Sequence, residues 1–95
     1  MVEGPQVAPS KKYDVRLHPE AIKTYRRLRG SVADRIAAAI DDLAINPRPP
    51  GSVKLAGRDD FRIRVGDYRI VYAVDDAKDL VLIAKIAHRR DVYRH

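Results

Sequence analysis

The stretch that most limits what this chain can fold into is Phe61 to Tyr72, FRIRVGDYRIVY. Phe61, Ile63 and Val65 alternate with Arg62 and Arg64; Tyr68, Ile70 and Tyr72 alternate with Arg69 and Val71. Alternation of this kind gives two strands, each with two distinct faces. Gly66-Asp67 between them suits a two-residue hairpin loop, because glycine adopts the positive φ that such turns demand. The loop then fixes the register: Val65 lies opposite Tyr68, Arg64 opposite Arg69, Ile63 opposite Ile70, Arg62 opposite Val71 and Phe61 opposite Tyr72. Directly opposed residues share a face, their Cβ atoms roughly 4.5–5.5 Å apart. One face is therefore apolar, and the other gathers Arg62, Arg64 and Arg69. With no acidic residue expected on that face of the hairpin, three crowded guanidinium groups form a receptor for an anion. A register slip of one residue would scatter the cluster, and the bland alternative is an ordinary solvated strand face.

The remaining composition narrows the classes. Ninety-five residues, 45% of them hydrophobic, make one domain with a modest core. The absence of cysteine removes disulfide scaffolds and zinc ribbons. His18, His88 and His95 have no ligand spacing, and the acidic pairs Asp41-Asp42, Asp59-Asp60 and Asp75-Asp76 do not fit a calcium loop. No metal and no cofactor are expected. No apolar run reaches membrane-spanning length and no signal-type segment opens the chain, so a cytoplasmic protein without a membrane partner is expected. A net charge of +6 favours a polyanionic partner, nucleic acid first.

In chain order, Met1 to Lys12 has no periodicity and reads as a disordered lead-in, leaving residues 13–95 as the domain. Tyr13 to Leu17 alternates as a first strand. His18-Pro19-Glu20 opens a helix running to about Arg29, with proline tolerated in the first turn and Gly30 at its C′ position. Ser31, with Asp34 three residues on, is placed to cap a second helix. Its stripe of Val32, Ile36, Ile40 and Leu43 is backed by Ala37 and Ala44 and ends at Asn46-Pro47. So short a turn makes a helical hairpin, whose apolar stripes the Phe61/Ile63/Tyr68/Ile70 face would cover. Arg48 to Asp60 is a loop, with Val53 and Leu55 as possible anchors. After the central hairpin, a turn at Asp75 to Lys78 leads to Leu80–Ala87, a nearly all-apolar strand expected to be buried on both faces beside Tyr68–Val74. Lys85 and Arg89 share the parity of Val81 and Ile83; if that parity is the arginine face, two more cations join the patch. The fold class is α+β, in the order β-α-α-β-β-β, an antiparallel-rich sheet packed on an N-terminal helical hairpin.

A strand, a helical hairpin, Leu55-x-Gly57-x₃-Phe61 running into the arginine hairpin, and a last strand ending in His88-Arg89-Arg90-Asp91-Val92-Tyr93 together resemble the RelE/ParE superfamily of type II toxin–antitoxin toxins. The resemblance covers Tyr13 to His95 and favours the RelE branch. It implies a metal-independent, ribosome-dependent endoribonuclease that cuts mRNA by attack of the 2′-hydroxyl, leaving a 2′,3′-cyclic phosphate, and that a cognate antitoxin neutralises. By position, it carries the catalytic roles to Arg62 and Arg64 on the first hairpin strand, Arg69 after the turn, Arg89 at the end of the last strand and Tyr93 near the C-terminus. Fixed cations would stabilise charge on the phosphorane oxygens. Arg69 suits the scissile phosphate, Arg62 and Arg89 flanking phosphates or the 5′-oxygen, and Tyr93 a base on which to stack.

The sequence departs from the RelE pattern where the best-known toxins carry lysines on the first hairpin strand, one of them a proposed general base. Arg62 and Arg64 are poor bases, because a guanidinium does not deprotonate in the working range. Tyr93, His88 and His95 are the alternatives, with Asp59 and Asp60 more simply turn formers; positioning and charge alone are a further route. A ParE-type toxin that poisons DNA gyrase without cutting RNA shares the fold, as would a non-toxic binding module.

Overall fold

The computed structural model describes residues 12–55 and 60–92, so the lead-in through Lys11, Gly57, Asp59, Tyr93 and His95 lie outside the described residues. A five-stranded sheet carries two helices on one face. The elements are β1 (Asp14–Leu17), α1 (Pro19–Arg27), α2 (Gly30–Ile45), β2 (Val53–Lys54), β3 (Asp60–Val65), β4 (Tyr68–Asp75), β5 (Leu80–His88) and α3 (Arg89–Val92). The strand order is β1-β5-β4-β3-β2. β1 runs parallel to β5, and the other pairs are antiparallel. The parallel pair needs a crossover, and α1 and α2 supply it.

The helix entrance follows the residue chemistry. The His18 side chain accepts a hydrogen bond from the Glu20 amide at 3.2 Å, which satisfies one of the free donors of the first turn. α1 stops at Arg27, two residues earlier than its periodicity predicts. The Arg29 guanidinium donates to the Arg26 and Leu28 carbonyls at 2.8 and 2.9 Å, occupying the acceptors that the end of the helix leaves open. Gly30 takes φ +66° at the junction, as a chain reversal requires. α2 begins at that glycine with no side-chain cap, so Ser31 lies inside its first turn rather than capping it.

The core sits between the helices and one sheet face. Ile36, Leu43, Ile70, Tyr72, Val81 and Ile83 are fully enclosed, joined by Ala21, Phe61, Ile63 and Ile86. Each large side chain so enclosed contributes about 1.5–3 kcal/mol relative to exposure. The Phe61 and Tyr72 rings stack at 5.8 Å, and the Tyr72 hydroxyl donates to the Pro47 carbonyl at 2.7 Å. That bond ties the end of α2 to the middle of the sheet. Nearby, the Arg48 guanidinium pairs with Asp76 at 2.8 Å and lies 5.3 Å from the Phe61 ring centre, while the Tyr13 hydroxyl donates to Asp76 at 2.7 Å.

Three further expectations need correction. Val53-Lys54 is not only a loop anchor: it pairs with β3 as a two-residue strand, too short to leave a periodic signal. β5 is not buried on both faces, since Leu82 is 38% exposed; the helices cover one side of the sheet and leave the other open. Asp60 is a strand residue rather than a turn former. Its parity puts an acidic side chain on the same face as Arg62 and Arg64, where none was expected.

Candidate active site

The open sheet face holds the candidate site. The register of the central hairpin is the one its alternation dictates: Val65 opposite Tyr68, Arg64 opposite Arg69, Arg62 opposite Val71 and Phe61 opposite Tyr72. The turn is closed by Gly66 at φ +60°. A positive φ at the first loop position alone is the arrangement that matches the twist of the flanking strands. Because Phe61, Ile63, Ile70 and Tyr72 are drawn into the core, Arg62, Arg64 and Arg69 are held on the opposite side. The apolar face thus aims the cations.

Arg64 is exposed, and Arg62 and Arg69 are half-buried. The Arg69 guanidinium donates to the Tyr68 carbonyl at 3.2 Å, and Arg64 donates to the Gly66 carbonyl at 3.3 Å. Both bonds lead back to the hairpin's own backbone, which restrains the side chains without neutralising them. Among the described residues, neither Arg64 nor Arg69 is paired with a carboxylate. A guanidinium has five donors in a planar fork, so each arginine retains donors for a phosphate.

β5 adds a cation through an irregularity. Ile83 lies opposite Tyr72 and Lys85 opposite Val71, leaving Ala84 as an extra residue. The bulge breaks the expected common parity. Val81 and Ile83 face the helices, whereas Lys85 falls on the arginine side, in line with Val71 and Arg62. Bulges re-aim side chains in this way, and no sequence periodicity announces one. Beyond it, Ile86 returns to the core and Ala87 lies opposite Arg69.

The remaining candidates divide. Arg89 is the first residue of α3, just past the strand, and its amide donates to the Asp67 carbonyl at the hairpin turn. That bond brings its backbone to the end of the sheet where Arg64 and Arg69 lie. His88 is opposite Tyr68, and their rings meet in a T-shaped arrangement with centroids 5.5 Å apart, on the helix side of the sheet. Its Nδ1 accepts from the Arg90 amide at 3.3 Å. The geometry therefore separates His88 from the arginine face. Tyr93 lies outside the described residues. On the helix side of the turn, the Arg35 guanidinium comes within 3.3 Å of where a Cβ on Gly66 would stand, adding positive charge at the hairpin tip. Among the described residues, no group of His, Asp and Glu side chains gathers as a metal site would need.

Comparison with known proteins places this architecture. Residues 15–93 match the family described as the ParE toxin of the type II toxin-antitoxin system parDE. The chain is 37% identical over 79 residues to the toxin RelG of Mycobacterium tuberculosis, a match spanning 75% of this chain and 88% of RelG. Among solved structures, it resembles a chain of the archaeal RelE-RelB complex from Pyrococcus horikoshii, with a TM-score of 0.72 and 27% identity over 88% of this chain and 99% of that one. A chain of the RelBE2 toxin-antitoxin complex from Mycobacterium tuberculosis matches with a TM-score of 0.72 and 26% identity, covering 84% of this chain and 94% of its counterpart.

Proposed function

We propose, from the premise that this chain belongs to the RelE/ParE superfamily of type II toxins and is RelE-like, that it is an endoribonuclease which cuts mRNA on the ribosome. The observation that carries the reading is the placement of Arg62, Arg64 and Arg69 on one open sheet face, with Arg64 and Arg69 directly opposed. A fold has little reason to place like charges opposite each other, which weakens a strand pair, unless an anion resolves the repulsion. The reaction forms a bond from the 2′-oxygen to phosphorus and breaks the bond from phosphorus to the 5′-oxygen. Negative charge builds on the non-bridging oxygens, and fixed guanidinium groups stabilise it more in the transition state than in the ground state. Arg69 grips the scissile phosphate through its fork, Arg64 shares that charge across the hairpin, and Arg62 and Arg89 hold the flanking backbone. Tyr93 stacks on a base.

The antitoxin partners of the RelE complexes support a cognate antitoxin for this chain as well. A free nuclease of this kind in the cytoplasm must be restrained, and the basic open face suits an acidic segment.

The test is primer extension on cellular mRNA after brief expression, with wild type beside Arg69→Ala. Cleavages inside translated regions that the variant loses by about 10²–10³-fold, the usual effect of removing one charge-stabilising donor, support the reading. A second reading is favoured by one observation, the match to the parDE toxin family. There the chain would poison DNA gyrase, and arrested growth with broken DNA and intact mRNA would establish it.

A further inference from the structure

The three hairpin cations are arginines, which hold charge but release protons poorly. Proton delivery to the departing 5′-oxygen is therefore a task that this face has to meet in another way. Lys85 is the one side chain that β5 turns toward the arginines and that bears a transferable proton. It lies opposite Val71, which in turn lies opposite Arg62, and it is diagonal to Arg69 on β4. Neighbouring strands are about 4.8 Å apart, so the Lys85 and Arg62 backbones flank Val71 at about 10 Å. A diagonal pair is separated by about 7–8 Å. A phosphate gripped by Arg69 is within reach of an ammonium on a four-carbon stem.

Two details suggest a built position. The extra residue Ala84 turns Lys85 to the open side while Ile83 before it and Ile86 after it both enter the core. A regular strand would have sent Lys85 inward with Ile83, burying a charge. β1 ends at Leu17 opposite Ile83, so among the described residues Lys85 has no strand partner on that side and lies beside a groove lined by His18, Glu20, Thr24 and Arg27.

We propose that Lys85 is the general acid of the reaction; the inference rests on the nuclease reading above. The 2′-oxygen attacks phosphorus and loses its proton to solvent. As the bond from phosphorus to the 5′-oxygen breaks, the Lys85 ammonium gives its proton to that oxygen, releasing a 5′-hydroxyl and a 2′,3′-cyclic phosphate. The neutral amine then regains a proton from water. Arg69 and Arg64 hold the scissile phosphate, Arg62 the flanking backbone, and Lys85 completes the departure of the leaving group.

The test uses ribosomal complexes programmed with a synthetic mRNA and a second mRNA in which sulfur replaces the 5′-bridging oxygen at the scissile phosphate. A thiolate leaves without needing a proton. Lys85→Arg and Lys85→Gln should each slow cleavage of the oxygen substrate by about 10²–10⁴-fold, the range general acid catalysis supplies. Both should cut the sulfur substrate at close to the wild-type rate. Arg69→Ala should remain slow on both. Equal slowing of the two substrates by the Lys85 variants would overturn the assignment and leave Lys85 as a charge or a scaffold. So would full activity of Lys85→Arg on the oxygen substrate. If wild type cuts neither RNA, the nuclease reading falls, and the Lys85 assignment falls with it. Melting curves of each variant separate loss of chemistry from loss of fold.

Discussion

Tyr72 shows how one residue serves packing and polarity together. Its ring is enclosed against Phe61, and its hydroxyl reaches the Pro47 carbonyl at 2.7 Å. Burial pushes its pKa up, opposed by a hydrogen bond with Ser52 and by the Arg48 charge. Tyr72→Phe keeps the ring and orphans the carbonyl, so it should cost about 1–2 kcal/mol in urea unfolding and leave the arginine face intact. The raised pKa also carries a pH dependence. A phenol that ionises later in the folded protein than in the unfolded chain stabilises the fold fully below the unfolded value, near pH 10. That contribution is lost as pH rises through the folded value. Stability should therefore fall in the alkaline range more steeply for wild type than for Tyr72→Phe, which circular dichroism melts at pH 9 and 11 would reveal. Arg64 poses the opposite problem. It faces Arg69 directly, and relieving a like-charge pair of this kind is worth about 0.2–1 kcal/mol. Arg64→Thr should raise the melting temperature while lowering RNA cleavage. A drop in both would mean that Arg64 supports the hairpin rather than straining it.

The hairpin was readable in advance because its faces and its turn agree. Alternation gave the in–out pattern, Gly66-Asp67 gave the loop, and together they left one register. Gly66→Ala should test this directly: φ +60° is poor for any other residue, and the new methyl would meet the Arg35 guanidinium at 3.3 Å. A loss of about 1–2 kcal/mol is expected from the backbone alone. β5 was not readable in the same way. Its run of Val81, Leu82, Ile83, Ala84 and Ile86 is apolar nearly throughout, so composition could not say which side chains meet the helices. The bulge at Ala84 then reversed the parity that would have grouped Lys85 with Ile83. Deleting Ala84 should leave a folded protein, because Ile83 and Ile86 would keep their core positions in a regular strand. β2 escaped for a different reason: two residues define no period, and only their pairing with Phe61 and Arg62 makes them a strand. The misreading of Asp60 follows from the same loop, since the start of β3 is set by pairing with Ala73.

At the scale of the whole molecule, the basic residues do not form a single population. Arg62, Arg64, Arg69 and Lys85 lie on the open sheet face, whereas Lys23, Arg26 and Arg27 belong to α1 on the covered side. A net charge of +6 speaks only of the total, and sequence composition could not separate the two sets before the topology assigned them. Binding to single-stranded RNA can separate them, because each phosphate neutralised changes the slope of log affinity against log salt by about 0.7. Arg69→Gln and Arg62→Gln should each flatten that slope by about this amount in titrations of a short RNA. Arg26→Gln removes the same unit of charge from an exposed site on α1 and should leave the slope nearly unchanged. If all three variants flatten it equally, RNA responds to total charge, and the arginine face has no special claim as the place where the phosphate backbone is held. If only the sheet variants do so, the packing of Ile63, Ile70 and Tyr72 into the core is what fixes the site, since those residues decide which way the arginines point.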